Sequence, residues 1–188
     1  VFGFASDTDT YIGRPAANTI AFTNGGSERL RITNDGNVII GHSASHPVQT
    51  HGFKVQVSGA NYQTSSIAQQ RFQDGAFGAT LALAHSRNAT QGNHTILQVN
   101  DEYGKIRFFG SDGNDFDGYG AEIVAKVESG ISNNSTPGRL EFHTTNSGTS
   151  ASTEKLRITS TGQIITNGSV TTYPSRSATF RPPSGQTQ

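Results

Sequence analysis

The chain has 188 residues, with 14 Lys and Arg against 14 Asp and Glu, so its formal net charge is zero. Ser, Thr, Asn and Gln together account for 66 residues, and Val, Ile, Leu and Phe for only 39. A zero net charge excludes the basic surface that phosphate-driven nucleic-acid binding needs. No apolar run approaches the roughly 20 residues of a membrane-spanning helix, so membrane insertion is not expected.

The kinds of apolar residue favour β structure. Ile and Val outnumber Leu by 22 to 6, and Phe adds 11. Branched and aromatic side chains suit a pleated sheet, whereas helical proteins rely on Leu, Ala, Glu and Lys. The chain contains no Cys, which excludes disulfides and thiolate chemistry. The predicted fold class is therefore all-β, with short antiparallel strands and meanders.

A three-strand meander is predicted near the start of the chain. A short strand at Thr19–Phe22 is followed by a loop and then by Leu30 and Ile32, which alternate with polar neighbours. The turn signal Asn34–Gly36 leads into a return strand at Val38–Ile40. So small a unit cannot bury its apolar face alone. We expect it to pack against neighbours along the chain or against copies of itself in an oligomer.

The middle of the chain keeps the β signature. Apolar or alternating stretches between turn residues predict further strands at 53–57, 80–85, 95–99, 105–110 and 121–128. A short helix is predicted only at 65–72, and the Pro-bearing end of the chain predicts an extended linker. The predicted domains are an N-terminal β unit (1–52), a central β-rich domain (53–168) and an extended tail (169–188).

One part of the meander recurs later in the chain. Glu28–Gly36 reads ERLRITNDG and Glu154–Gly162 reads EKLRITSTG, at a fixed offset of 126 residues. Upstream, Thr19–Phe22 corresponds to Arg139–Phe142, with a connecting loop that is six residues longer in the second copy. Self-similarity of this kind indicates a repeated structural unit.

The order of these blocks resembles that of bacteriophage tail fibres and related tail proteins. Glu28–Gly41 is similar to the segment ERMRI-xxx-GNVGIG that recurs in this family, and Lys54–Gly59 follows where a KLxVSG strand is often found. The family usually has Met where this chain has Leu30, and Gly where it has Ile39. Five further segments of this chain are similar, in the same order, to a second block that recurs in the family. They are Gly104–Phe108, Gly110–Gly113, Ala121–Val127, Pro137–Thr145 and Glu154–Gly162.

The resemblance implies an elongated, trimeric β fibre or β-sandwich assembly in a phage tail appendage, and hence a location in the virion. The implied partners are further copies of the chain, other phage tail proteins and polysaccharide on the host surface. The predicted function is that of a structural and adhesive fibre segment that supports or contributes to host attachment. Two alternatives stay open: a tailspike-type enzyme that degrades host polysaccharide, and a purely structural baseplate or collar protein.

Two arginines of the recurring segment are candidates for ion pairing. Arg31 and Arg157 each follow a glutamate by three residues, Glu28 and Glu154 respectively. Each arginine projects from a strand, where opposite charges stabilise pairing. We predict that these pairs join the chains of an oligomer.

The other polar clusters predict no catalytic site, no metal site and no cofactor. The six His residues form no zinc-ligand pattern, and the spacing of a calcium loop fails in Asp112–Asp117 because Phe116 stands at its fifth position. A glycosidase needs two carboxylates about 5 to 9.5 Å apart. No spacing singles out a pair among the candidates Glu102, Asp112, Asp115 and Glu122. The chain is therefore predicted not to be an enzyme.

Three aromatic residues are candidates for contact with a receptor or glycan. Aromatic rings offer large flat surfaces with a polar edge, on which sugars can stack. The candidates are Tyr103, Phe116 and Tyr119. For Phe116, packing in a core or interface is the alternative prediction.

Overall fold

The computed structural model describes residues 1–49 and 51–168, so the predicted tail at 169–188 lies outside the described residues. Within these ranges the chain forms eleven β-strands and no helix, which confirms the predicted all-β class. No helix there has the length and apolar character needed to cross a lipid bilayer. The strands are β1 (Phe2–Phe4), β2 (Asp7–Gly13), β3 (Ile20–Asn24), β4 (Ser27–Ile32), β5 (Val38–Ile40), β6 (Val55–Val57), β7 (Glu102–Phe109), β8 (Tyr119–Val127), β9 (Gly138–Thr145), β10 (Ser152–Ile158) and β11 (Ile164–Thr166).

The strands form two sheets whose order follows the sequence. The first sheet has the order β1-β2-β3-β4-β5-β6, antiparallel from β1 to β5, with β6 parallel to β5. The second has the order β11-β10-β9-β8-β7, and β8 to β11 pair antiparallel. The predicted meanders are therefore present in both sheets.

The chain divides into two compact units, each built around one sheet. The first unit contains Val1–Ala82 and Phe109–Tyr119, and the second contains Leu83–Phe108 and the described part of Gly120–Gln188. Across the described residues, only five apolar side chains are buried: Ala21, Ile39, Leu97, Val124 and Val127. The predicted domain boundaries after residues 52 and 168 stay predictions.

The β3–β4–β5 and β9–β10–β11 meanders share one register. In each, the ladder skips one residue of the arginine-bearing strand, Arg29 in β4 and Lys155 in β10, which forms a β-bulge. The turn that follows holds Gly36 or Gly162 at a φ of 73° or 81°, a conformation that glycine adopts without strain. Equivalent opposed pairs are Ile20–Ile32 and Leu140–Ile158, Ala21–Arg31 and Glu141–Arg157, and Phe22–Leu30 and Phe142–Leu156.

The middle of the chain departs from the predicted elements. The predicted strands at 80–85 and 95–99 are wrong, because no strand of the described chain pairs with them. Leu81 and Leu83 accordingly stay exposed. The predicted helix at 65–72 is also wrong, since that stretch is irregular. β7 begins at Glu102, three residues before the predicted strand at 105–110.

Candidate functional site

A network of charged side chains covers one face of the second sheet, and Glu141 lies at its centre. The side chain of Glu141 is buried, with only 1% of the residue exposed. Its Oε1 accepts a hydrogen bond from Arg139 Nε at 2.6 Å, and its Oε2 lies 2.7 Å from Lys126 Nζ and 2.8 Å from His143 Nε2. Burial raises the pKa of Glu141, but these three hydrogen bonds outweigh burial and lower the pKa from 4.5 to about 2. The carboxylate of Glu141 therefore stays ionised at neutral pH although it is buried.

Glu122 forms the second buried carboxylate of this network. Its Oε2 accepts from Arg107 Nε at 2.9 Å, and its Oε1 accepts from Ser152 Oγ, also at 2.9 Å. Burial raises the pKa of Glu122, and the hydrogen bonds from Arg107 and Ser152 bring it below its ordinary value. The ring of His143 lies between the two carboxylates, with Nδ1 3.8 Å from Glu122 Oε1.

Both predicted glutamate–arginine pairs form within the chain. Glu28 Oε1 accepts from Arg31 Nε at 2.6 Å, and Glu154 Oε1 accepts from Arg157 Nε at 2.6 Å. In each pair the second guanidinium nitrogen bonds the second carboxylate oxygen. The hydrogen bonds from Arg157 lower the pKa of Glu154, against the effect of burial. The role of these residues between chains stays a prediction.

Three residues of the network lie close enough together to bind a metal ion, but their carboxylates are already paired with cationic side chains. The ligand atoms of Glu141, His143 and Glu154 lie within 4.8 Å of one another. The oxygens of both glutamates already accept hydrogen bonds from cationic side chains. A divalent cation would have to displace these groups. The network pairs the cations Arg107, Lys126, Arg139 and Arg157 with the carboxylates Glu122, Glu141 and Glu154.

The opposite face of the second sheet is apolar. Ala125, Leu140, Ile158 and Ile164 lie opposite one another in a row that crosses four strands. Because Arg107 pairs with Glu122 on the charged face, alternation along β7 places Ile106 and Phe108 on this apolar face. Ile164 is 57% exposed and Phe108 is 52% exposed. The sheet therefore has its charges on a buried face and much of its apolar surface in water.

The first sheet has an apolar row of the same kind. It crosses all six strands, and its members are Phe2, Ile12, Phe22, Leu30, Ile40 and Val57. Phe2, Ile12, Phe22 and Ile40 are exposed in the single chain. The face that carries Ala21 and the Glu28–Arg31 pair is the more buried one. Contiguous exposed apolar surface of this extent usually marks an interaction site.

The three predicted aromatic residues have different surroundings. Tyr103 is half-buried and donates its phenolic O–H to the carbonyl of Pro137 at 3.2 Å. Tyr119 is half-buried and meets the ring of Phe109 edge to face, with centroids 5.9 Å apart. Phe116 is 44% exposed and lines an open groove of about 390 Å³ in the first unit. Phe116 thus offers the most open ring of the three, and contact with a glycan stays a prediction for all of them.

The candidate carboxylates are held in local structure. Asp112 Oδ1 accepts the backbone N–H groups of Asn114 and Asp115, and these hydrogen bonds lower the pKa of Asp112. Glu102 lies 2.7 Å from Lys105 Nζ. The Asp112 side chain therefore stabilises the turn in which it lies.

Sequence reasoning missed Glu141 and most of its partners. The signal was present in β9, where Arg139, Glu141 and His143 alternate with Leu140 and Phe142. Alternation places the three charged groups on one face, and charged residues of the neighbouring strands lie opposite them. The pairing of strands supplied the information that the single strand lacked.

No protein-family profile matches the chain, and no curated protein is significantly similar to it. Solved structures do match it. The carboxy-terminal domain of the bacteriophage T5 L-shaped tail fibre matches 99% of this chain and 83% of its own, at 16% identity and a TM-score of 0.65. A structure of that domain with its intramolecular chaperone domain matches 99% of this chain and 57% of its own, at 15% identity and a TM-score of 0.69.

This chain shares the fold of these tail fibre domains. The likeness extends over nearly all of its 188 residues, so both sheets belong to it. The chain spans little more than half the length of the structure that includes the chaperone domain.

Proposed function

We propose that the chain is a structural segment of a phage tail fibre, that it assembles as a homotrimer, and that it supports or contributes to attachment to the host surface. The observation that carries the proposal is the shared fold over 99% of the chain. The exposed apolar rows support it, because a chain that leaves such rows in water is incomplete by itself. Its place would be a tail appendage of the virion, joined to other phage tail proteins.

The mechanism we propose is mechanical. Copies of the chain bury apolar surface against one another, and the ion-pair network around Glu141 stiffens each sheet from within. The loops then project polar groups and the open ring of Phe116 toward a surface polysaccharide. The two meanders with the same register and bulge would be copies of one repeated unit. We also propose that the chain consists of an N-terminal β unit (1–52), a central β-rich domain (53–168) and an extended tail (169–188).

Sedimentation of the purified chain tests the proposal directly. A homotrimer has three times the chain mass of 19.9 kDa, and an unheated sample should keep that mass in SDS gel electrophoresis. A monomer in both measurements would contradict the proposal.

Binding and activity assays separate the adhesive role from its alternatives. We expect the oligomer to bind host-surface polysaccharide and to release no reducing ends from it. Absence of glycan binding by an intact oligomer would favour a purely structural baseplate or collar protein. Release of reducing ends would favour a tailspike-type enzyme.

A further inference from the structure

We propose that copies of this chain associate through the apolar faces of its two sheets, and that the ion-paired faces point away from the partner. This inference rests on the proposed homotrimer and names the surface that forms it. It differs from the sequence-based prediction, in which Glu28–Arg31 and Glu154–Arg157 would join the chains.

The apolar faces form continuous rows in both sheets. The six-residue row from Phe2 to Val57 has no charged member, and neither does the four-residue row from Ala125 to Ile164. Each row runs across its sheet in the direction of strand pairing, since its members lie directly opposite one another. An apolar partner surface would remove such a row from water without leaving a polar group unpaired.

The ion-paired faces, by contrast, need no partner. Glu141, Glu122 and Glu154 each accept hydrogen bonds from cations of the same chain. In the described part of the chain, no buried side-chain nitrogen or oxygen lacks a hydrogen-bond partner. A second chain that covered this face would remove water from charges that are already paired, at a cost in desolvation.

The exposed area of the chain leaves room for contacts with partner copies. The chain exposes 14632 Å², whereas a compact monomer of 19.9 kDa exposes about 8,700 Å². The excess is larger than the area that two standard contacts of about 800 Å² per partner would cover on each chain of a closed trimer.

A second copy of the chain is the occupant that these features favour. The zero net charge means that no long-range repulsion opposes association of identical chains. The required apolar surface is also available on every copy, in both units. Three identical chains can therefore satisfy one another without any other protein.

The absence of Cys from the chain allows a clean test by single-cysteine labelling. Ile164 and Ile165 are adjacent residues of β11, 57% and 41% exposed, and they lie on opposite faces. Ile164 lies opposite Ile158 on the apolar face, and Ile165 lies opposite Arg157 on the ion-paired face. Ile164→Cys and Ile165→Cys thus form a matched pair, with Ser147→Cys in an exposed turn as the reference.

The rate of reaction with a maleimide is measured on the native full chain, alongside its mass by sedimentation. In the oligomer we expect Ile164→Cys to react about tenfold or more slowly than Ser147→Cys, because the core of an interface excludes water. Ile165→Cys should react at nearly the reference rate. Phe108→Cys and Phe22→Cys repeat the test at other points of the two apolar faces, should Ile164→Cys fail to fold.

The outcomes separate this inference from the proposed function. An oligomer in which Ile164→Cys, Phe108→Cys and Phe22→Cys all react at the reference rate would overturn the inference and leave the homotrimer intact. Protection of Ile165→Cys instead of Ile164→Cys would assign the interface to the ion-paired face. A monomeric wild-type chain would overturn the proposed homotrimer itself, and this inference with it.

Discussion

Glu154 and Arg157 lie on the same face of β10, although they are three residues apart in a strand. A regular strand would place them on opposite faces, because its side chains alternate. The bulge at Lys155 adds one residue to β10 and so brings the two side chains together, with Glu154 Oε1 2.6 Å from Arg157 Nε. Arg29 has the same effect on Glu28 and Arg31 in the first sheet.

Deletion of Lys155 tests this role of the bulge. Without the extra residue, Glu154 and Arg157 would be two residues apart in a regular strand, and alternation would keep them on one face, opposite His143 and Glu141. We therefore expect the pair to survive the deletion, with a change of less than about 1 kcal/mol in the free energy of unfolding. Lys155→Ala is the control, since it keeps the bulge. Denaturant unfolding measures both variants, and a much lower stability of the deletion variant than of Lys155→Ala would show that the bulge supports the strand in some way other than by bringing the pair together.

Arg157→Ala should lower the thermal midpoint without changing the strand content. Arg157 binds Glu154 and lies 4.0 Å from Glu141, but about a third of its side chain is exposed, so we expect a loss of about 1 kcal/mol. That corresponds to a decrease of about 2 to 4 °C in Tm for a chain of this size. Circular dichroism measures both quantities. Arg29→Ala, at an exposed bulge position, serves as the control. An unchanged midpoint for Arg157→Ala would show that the Glu154–Arg157 pair does not stabilise the chain.

Glu141 should make the stability of the chain depend on pH below about 5. Its pKa is lowered in the folded state, from 4.5 to about 2, so the unfolded state binds more protons in this range. The stabilisation from Glu141 is complete above its unfolded pKa and is lost as the pH falls through its folded pKa. Unfolding at a series of pH values from 7 to 2 measures the slope.

Glu141→Gln should reduce that slope and lower the stability at pH 7. The variant leaves Arg139 and Lys126 without their carboxylate, and removal of one member of a buried pair costs about 3 kcal/mol or more. The difference from the wild type should shrink toward pH 2, where about half of the native carboxylate is protonated. Glu102→Gln, in a more exposed pair with Lys105, is the control. A difference that stays constant from pH 7 to pH 2 would argue against an ionised Glu141.

Asp101→Asn should loosen the segment before β7. Asp101 accepts two hydrogen bonds from the guanidinium of Arg87 and one from the backbone N–H of Gln98. The bonds from Arg87 and Gln98 lower the pKa of Asp101 to about 2. We expect faster hydrogen exchange at residues 86–101, because local opening becomes easier. Asp74→Asn is the control at an exposed position. Unchanged exchange in Asp101→Asn would mean that other contacts hold the segment.

The sequence predicted the β class and the meanders because these depend on local signals. Three local signals indicated these elements in the sequence. They are glycine at positions 36 and 162, branched residues in β4 and β5, and the alternation of apolar and polar residues in β4. The bulges were not readable, since an extra residue in a strand is defined only by the strand that pairs with it. The network around Glu141 was missed for the same reason, because it joins residues of four strands.

The alternating stretches at 80–85 and 95–99 show the limit of the same reasoning. Alternation identifies residues that can form a strand, but a strand also needs a neighbour with free N–H and C=O groups. The described chain offers these stretches no such neighbour. The pattern was therefore recognised correctly, but the element that it predicts does not form within one chain.

The small number of buried apolar side chains has a consequence for the kinetics of folding. With five such residues in the described part of the chain, a single chain gains little hydrophobic stabilisation by itself. In the proposed homotrimer, folding and assembly would therefore be one process, and its rate would rise with protein concentration. We expect dilute chains to refold slowly and in low yield, and concentrated chains to reach the proposed oligomer unless aggregation through the same apolar rows intervenes.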